Sequence, residues 1–431
     1  MRVALVNPPW SFEGSIYFGC REPHLPLEYG YARALLEAAG HEAAIVDAQL
    51  EALDEHGVRE RLEAFAPELT VITTAPSYLF WRCAPPELRV PRKLADAVRG
   101  VAGAIVVVGP HASTTPVATL RKLTADAVVM GECEEVLARL ASTPRERWGE
   151  LESIAYDEGG RVRVLGGKAA CDVARLPPLR WSDDVVGRHS HHHHRFDRAA
   201  ERPGAEVEAS RGCPYACTFC AKNDFRNAFR RRPVSIVLDE VDALVAQGVE
   251  YVYFIDEIFL PSRELLEGLR RRPVVFGVQL RIDNWTREML DLLGEAGCVS
   301  IEAGVESITP QGRSLLAKKC RLSTDELTAL LVHAKRRVPF VQANLIASDA
   351  DDPSDVARWR ASLADRGVWA NEPVPMFPYP GSPDYVLRWG APDDAAWERA
   401  HAHYLERFRA FSDIQDARPL PLSELEGTDA R

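Results

Sequence analysis

The chain lacks any apolar run long enough to cross a bilayer, which excludes a helical membrane span. It also lacks a basic excess. The net charge is -11, and a protein whose main partner is nucleic acid needs a basic face for the phosphates. No Gly-x-Gly-x-x-Gly and no phosphate loop occurs, so nucleotide binding through those devices is excluded. The nine cysteines form no secreted disulfide framework. The start, Met1-Arg2-Val3-Ala4, opens directly into a strand rather than a signal peptide, and a cytoplasmic location is expected. With 431 residues and a hydrophobic fraction of 46%, the composition is that of a globular protein of two or three domains.

Against these absences one stretch stands out: Ser210-Arg211-Gly212-Cys213-Pro214-Tyr215-Ala216-Cys217-Thr218-Phe219-Cys220. Three thiols this close can wrap one small metal centre from a single loop, and three cysteines on a four-iron cluster leave one iron open to a cofactor. A zinc knuckle is an alternative, but it wants four closed ligands in paired dyads, and no second dyad follows. Buried cysteines clustered by chance are the remaining alternative.

Cys213, Cys217 and Cys220, with Phe219 before the last, resemble the signature of radical S-adenosylmethionine (SAM) enzymes. The resemblance implies that these cysteines hold a 4Fe-4S cluster. S-adenosyl-L-methionine then binds the open iron, and one electron cleaves it to a 5′-deoxyadenosyl radical.

Strand and helix patterns alternate over the first 140 residues or so: strands at 3–7, 43–47, 69–73, 105–108 and 127–130, with helices at 27–39, from about 58, and at 93–98. This predicts a doubly wound parallel sheet with its ligand at the strand carboxyl ends. Asn7, Pro8, Asp47, Thr74, Ser77, Tyr78, Gly109, His111, Ala112, Ser113, Gly131 and Glu132 fall there. The stretches Val6-Asn7-Pro8-Pro9, Val106 to Ser113 and Asp126 to Glu132 resemble the cobalamin-binding domain that precedes the catalytic domain in one class of radical SAM enzymes. All of these positions except Asp47 are then candidate cobalamin contacts. The Asp-x-His-x-x-Gly motif that gives cobalt a histidine in other cobalamin proteins is absent, and His111 is expected in the pocket wall. The alternatives are a Rossmann-like module binding nothing, or a nucleotide.

A hairpin is predicted around Asp157-Glu158-Gly159-Gly160, then an extended connector with Pro177 and Pro178. The run His189 to His194 within it either binds metal or a substrate anion, or is solvated. The basic run Arg226 to Arg232 is expected to be a solvated helix face or an anion contact.

After the cysteine loop, βα units repeat at 235–247, 251–255, 274–281, 300–307 and 340–345, with a last strand near 372–376. Such repetition suggests a partial barrel with its chemistry at the strand carboxyl ends. Gln279 and Arg281 share one strand face, as do Gln342 and Asn344. The family resemblance implies SAM contacts at Phe219, Asp256, Glu257, Arg281, Glu302 and Gly304, with one of Asp256 and Glu257 on the methionine amino group. Glu306 is assigned to ordering the loop after it. The tail carries an amphipathic helix whose Trp397, His401, Tyr404, Leu405 and Phe408 form a core-facing stripe, then a polar, frayed end.

The fold expected is α/β: a Rossmann-like cobalamin-binding domain over 1–142, hairpin and connector over 143–203, a radical SAM partial (β/α) barrel over 204–390, and a C-terminal helical tail over 391–431. The function expected is a cobalamin-dependent radical SAM enzyme methylating an unactivated carbon of a small molecule, with flavodoxin or ferredoxin as electron donor. Radical rearrangement, cyclisation or oxidation with the same cofactors is the second reading, and a non-catalytic cobalamin or metal sensor is the third.

Overall fold

The computed structural model describes residues 1–16, 23–77, 84–189, 203–226, 228–408 and 418–427. The first sheet contains β1 (Arg2–Asn7), β2 (Glu42–Asp47), β3 (Leu69–Thr73), β4 (Ala104–Val108), β5 (Ala127–Val129), β6 (Ile154–Glu158) and β7 (Arg161–Leu165). Its order is β2-β1-β3-β4-β5-β6-β7, parallel through β5. The predicted hairpin is present as β6 and β7, and it continues the sheet by antiparallel pairing with β5. The uninterrupted apolar runs of β1, β3 and β4 are buried along their length, as a parallel sheet covered on both faces requires. One face packs Ala4, Val6, Ile72 and Val107 under helices, against Val58, Leu62 and Leu94. The other face, with Val3, Leu5, Val71 and Val106, joins a single core that runs on into the second half of the chain.

The second half starts with β8 (Gly204–Val207) and a two-stranded arm, β9 (Ser210–Arg211) against β10 (Arg230–Arg231). β11 (Tyr251–Phe254), β12 (Val275–Leu280), β13 (Cys298–Glu306), β14 (Phe340–Leu345) and β15 (Trp369–Ala370) follow. The order β15-β14-β13-β12-β11-β8 is all parallel, open at both edges, and is the partial barrel expected. Along β14 burial alternates, with Val341, Ala343 and Leu345 in the core and Gln342 and Asn344 half-buried on the opposite face.

Two expectations need correction. The last strand is β15, not 372–376. Asn371 donates to the Leu345 carbonyl and accepts from its amide at 2.7 Å, so a side chain replaces a strand rung. Pro373 and Pro375 have no N–H for a ladder, which leaves an isolated bridge between Ile346 and Val374. The tail is not frayed over 418–427. A short helix, Leu422–Leu425, buries both its leucines, and Glu426 accepts from the Leu88 amide and from Lys122 Nζ of the first domain. The helix Ala396–Arg407 buries Trp397, His401 and Tyr404, as its pattern predicted. Among the described residues no helix is long and apolar enough to cross a membrane.

Candidate functional site

The cysteine loop leaves the sheet where β9 ends. Gly212 has φ +77°, and a Cβ there would lie 2.1 Å from the Ala228 carbonyl oxygen, so only glycine fits. The loop is tied on every side. The Gly212 amide donates to Glu257 Oε2 at 2.7 Å, Lys222 Nζ to the Cys213 carbonyl at 2.5 Å, and the Thr218 hydroxyl to Asp384 Oδ2 at 3.1 Å. The Tyr215 hydroxyl donates to Asn284 Oδ1 at 2.5 Å, and Arg281 lies 3.8 Å over the Tyr215 ring. None of the three cysteines is in a disulfide, and all are half-exposed. Burial pushes the thiols of Cys213 and Cys217 up, while Lys222 acts on the first, Lys318 on the second and Arg281 on both in the opposite direction. Positive charge thus surrounds a set of three prospective thiolates, and the donor set suits a cluster with one open metal position.

The polar strand residues line up. Gln279, Glu302 and Gln342 are register partners across β12, β13 and β14, and Gln279 Nε2 donates to Glu302 at 2.9 Å. Gly304 pairs with Asn344 one step further along, and Lys318 Nζ, almost fully buried, holds the Gly304 carbonyl and Glu306 at 3.0 Å each. Glu306 thus orders the loop after it, as assigned. Arg281 pairs with Asp283, yet among the described residues its Nη1 is buried without a hydrogen-bond partner. Phe219 is half-buried in the loop.

Asp256 and Glu257 have partners within the protein. Asp256 accepts from the Ser210 hydroxyl and, at 3.1 Å, from the Ala209 amide, and burial pushes its acid up to about 7. Glu257 accepts from Gly212 N and from Arg226 at 2.6 Å. Both carboxylates hold the cysteine loop in place.

At the carboxyl ends of the first sheet, Asn7 donates to Asp47 and accepts from Trp10 Nε1, both at 2.8 Å. Pro8 and Ser77 are buried beside the β1–β3 switch point, where doubly wound sheets bind ligands. Among the described residues Thr74 Oγ1 and Asp47 Oδ2 are buried without hydrogen-bond partners, and so is Nε2 of His189. Burial raises the acid of Asp47 and His189 opposes the shift, which brings the connector's first histidine to this crevice. Orphaned polar atoms at strand ends fit a macrocycle rimmed with amides. Tyr78 and the histidines 191–194 lie outside the described residues.

The remaining candidates are placed differently. Ala112 belongs to the core on the helix side. Ser113 bridges the ends of β4 and β5, donating to the Gly109 carbonyl and accepting from the Gly131 amide, both at 2.9 Å. Gly109 (φ +118°) packs on Thr74, while Gly131 (φ +87°) makes room for the backbone of Ala169. His111 is not in an open pocket wall. Its ring stacks on Trp397 at 4.0 Å, and burial lowers its pKa to about 3.

Glu132 marks what the sequence concealed. It binds Arg211 at 3.1 Å, Arg230 and the Cys171 amide, all across the seam between the two domains. Arg211 also meets Glu134 at 2.7 Å and Glu208 at 2.8 Å. Glu208 in turn meets Arg226 at 2.8 Å, and Arg226 meets Glu257. Arg232 is held by Glu240. Within the basic run, Arg226 and Arg232 are therefore not solvated: both are buried and neutralised by carboxylates, while Arg231 is exposed. Burial would raise Glu132, but Arg211, Arg230 and Arg226 outweigh it and hold it near 2. Glu132, Glu134 and Cys171 lie within 4.8 Å of one another. The guanidinium groups already supply the positive charge a metal would bring.

Residues 207–348 match the model of the Radical SAM superfamily, and residues 21–141 that of the B12 binding domain. An uncharacterized methyltransferase of Pyrococcus horikoshii is 26% identical over 330 residues, 74% of this chain and 68% of that protein. The anaerobic magnesium-protoporphyrin IX monomethyl ester cyclase of Rubrivivax gelatinosus is 24% identical over 372 residues, 81% of this chain and 62% of that one. The chain therefore spans about two thirds of these curated relatives. Among solved structures, the radical S-adenosylmethionine methyltransferase TsrM from Kitasatospora setae, with cobalamin and a 4Fe-4S cluster bound, superposes with a TM-score of 0.67. It is 19% identical, with 89% of this chain and 76% of that one covered, so the likeness is one of fold.

Proposed function

We propose that this chain, which belongs to the radical S-adenosylmethionine enzymes carrying an N-terminal cobalamin-binding domain, methylates an unactivated carbon of a small molecule. The observation that carries this is the cysteine loop, set at the seam with the first domain and tied to that domain's β5 end through Arg211. Cys213, Cys217 and Cys220 would hold the 4Fe-4S cluster. The row Gln279, Glu302 and Gln342, with Gly304 and the free Nη1 of Arg281, would receive the charged and adenosine parts of SAM. Asn7, Pro8, Thr74, Ser77 and the crevice at Asp47 and His189 would hold cobalamin. Bound there, the cofactors supply hydrogen-atom abstraction and a transferable methyl group. The protein's part would be to fix the distance between the two sites and to shield the space between them, and the buried ion pairs of the seam support that role.

Methylation is favoured over rearrangement or cyclisation because the Pyrococcus relative and the TsrM structure are both named methyltransferases. The name of the Rubrivivax relative supports the second reading. A small-molecule substrate, a flavodoxin- or ferredoxin-like electron donor and a cytoplasmic location complete the proposal.

The test uses the anaerobically reconstituted, reduced full chain with trideuteromethyl SAM. Accumulation of 5′-deoxyadenosine with the label recovered in the extracted cobalamin is expected. Deoxyadenosine without label in cobalamin moves the assignment to non-methylating chemistry, and neither product overturns it.

A further inference from the structure

A cleft of about 700 Å³ opens beyond the carboxyl end of β14. That is within the range of small-molecule sites, roughly 300–1,000 Å³. Its floor is apolar, with Ile346, Pro373 and Met376. Its rim carries three bases, Arg388, His403 and Arg407.

These bases differ from the other arginines near the site. Among the described residues neither Arg388 nor Arg407 meets a carboxylate, and both are exposed. Both act on His403, which is half-buried against the Trp389 ring at 5.4 Å; burial and the two guanidinium groups push its pKa down. Of the acids lining the cleft, Glu372 is held by Arg360, and Asp351 accepts from Ser307, Ile308 and Thr309. Asp349 also lines the cleft, and none of these acids forms an ion pair with Arg388 or Arg407 among the described residues. Two guanidinium groups without an ion pair, bordering a partly apolar cleft, suit a ligand with a hydrocarbon body and an anionic end.

One helix links the cleft to the cysteine loop. The helix Pro383–Trp389 begins where Asp384 receives the Thr218 hydroxyl of the cysteine loop. Arg388 stands four residues further along, about 6 Å at the helical rise. We infer that the molecule to be methylated carries a carboxylate or phosphate and is anchored by Arg388 and Arg407, with its apolar part directed toward the barrel mouth. The inference rests on the methyltransferase reading for the word substrate, whereas the anion site itself does not.

The experiment is calorimetric titration of the anaerobically reconstituted full chain with inorganic phosphate and with succinate. The variants are the double substitution Arg388→Gln/Arg407→Gln and, as a control for lost surface charge, Arg147→Gln. Saturable binding of at least one anion is expected, weakened at least about tenfold in the double variant and unchanged in the control. A preference for phosphate assigns a phosphoester substrate, and one for succinate a carboxylate. Binding of neither anion, or equal weakening in both variants, overturns the inference. Deoxyadenosine formation in the same preparation separates the two claims. Cleavage of SAM without anion binding removes only the anion site, and anion binding without cleavage removes only the proposed reaction.

Discussion

At the domain seam Arg211 and Arg226 are shut off from solvent, and each meets carboxylates at 2.6 to 3.1 Å. At the outer cleft Arg388 and Arg407 are exposed and, among the described residues, meet no carboxylate. The same side chain thus does two kinds of work. A buried guanidinium has lost its water and must be matched by carboxylates, so the seam's charges are internal and fix geometry. An exposed, unmatched guanidinium beside an apolar floor keeps its hydrogen bonds available to something that arrives.

Breaking the seam is expected to have the largest effect. Arg211→Met leaves Glu134 without its cation and takes one of two cations from Glu132 and from Glu208, all buried, and is expected to lower unfolding stability by about 3–5 kcal/mol. Denaturant titration measures this, and a loss below about 1 kcal/mol would erase the distinction between seam and cleft.

Next comes acid. Burial depresses His111 to about 3 and His401 to about 4. Their contribution is present above their ordinary value of 6.5 and is lost as pH falls through those lower values. Glu132, held near 2, contributes above its ordinary 4.5 and loses that contribution only below it. Asp256, pushed up to about 7 by burial, works the other way between that value and its ordinary 3.8, so the steep softening of thermal unfolding is expected below pH 4.5, where Glu132 loses its contribution. His111→Asn is expected to remove only the His111 share of the pH dependence below 6.5, leaving that of His401. A steep loss between pH 9 and 7 would contradict this assignment.

The smallest stability effect belongs to the cleft. Arg388→Gln/Arg407→Gln is expected to unfold within about 0.5 kcal/mol of the unchanged chain. A larger loss would mean that these arginines also support the fold.

What could be read from the sequence was local. Three thiols within one loop disclose their chemistry by spacing, and the alternation of β14 discloses its two faces. The seam was hidden because its partners are far apart in the chain, Glu132 with Arg211 and Arg230, and local composition cannot distinguish a buried arginine from a solvated one. Asp256 and Glu257 were placed at the correct strand end. Their task of holding the loop depends on Ser210, Ala209, Gly212 and Arg226 folding back over them. The last turn of the tail was missed because Leu420, Leu422 and Leu425 look like isolated apolar residues until residue 14 and the segment at 88 are brought beside them.

The central claim is one chain with two cofactors meeting at one seam. Its most direct test is anaerobic purification with cobalamin supplied, followed by iron and cobalt quantification on the unchanged chain and on the variant with Cys213, Cys217 and Cys220 replaced by alanine. The account predicts about four irons and one cobalt per chain, with iron lost and cobalt kept in the variant. Iron without cobalt would remove the methyl donor, and a chain that binds neither would contradict the account as a whole.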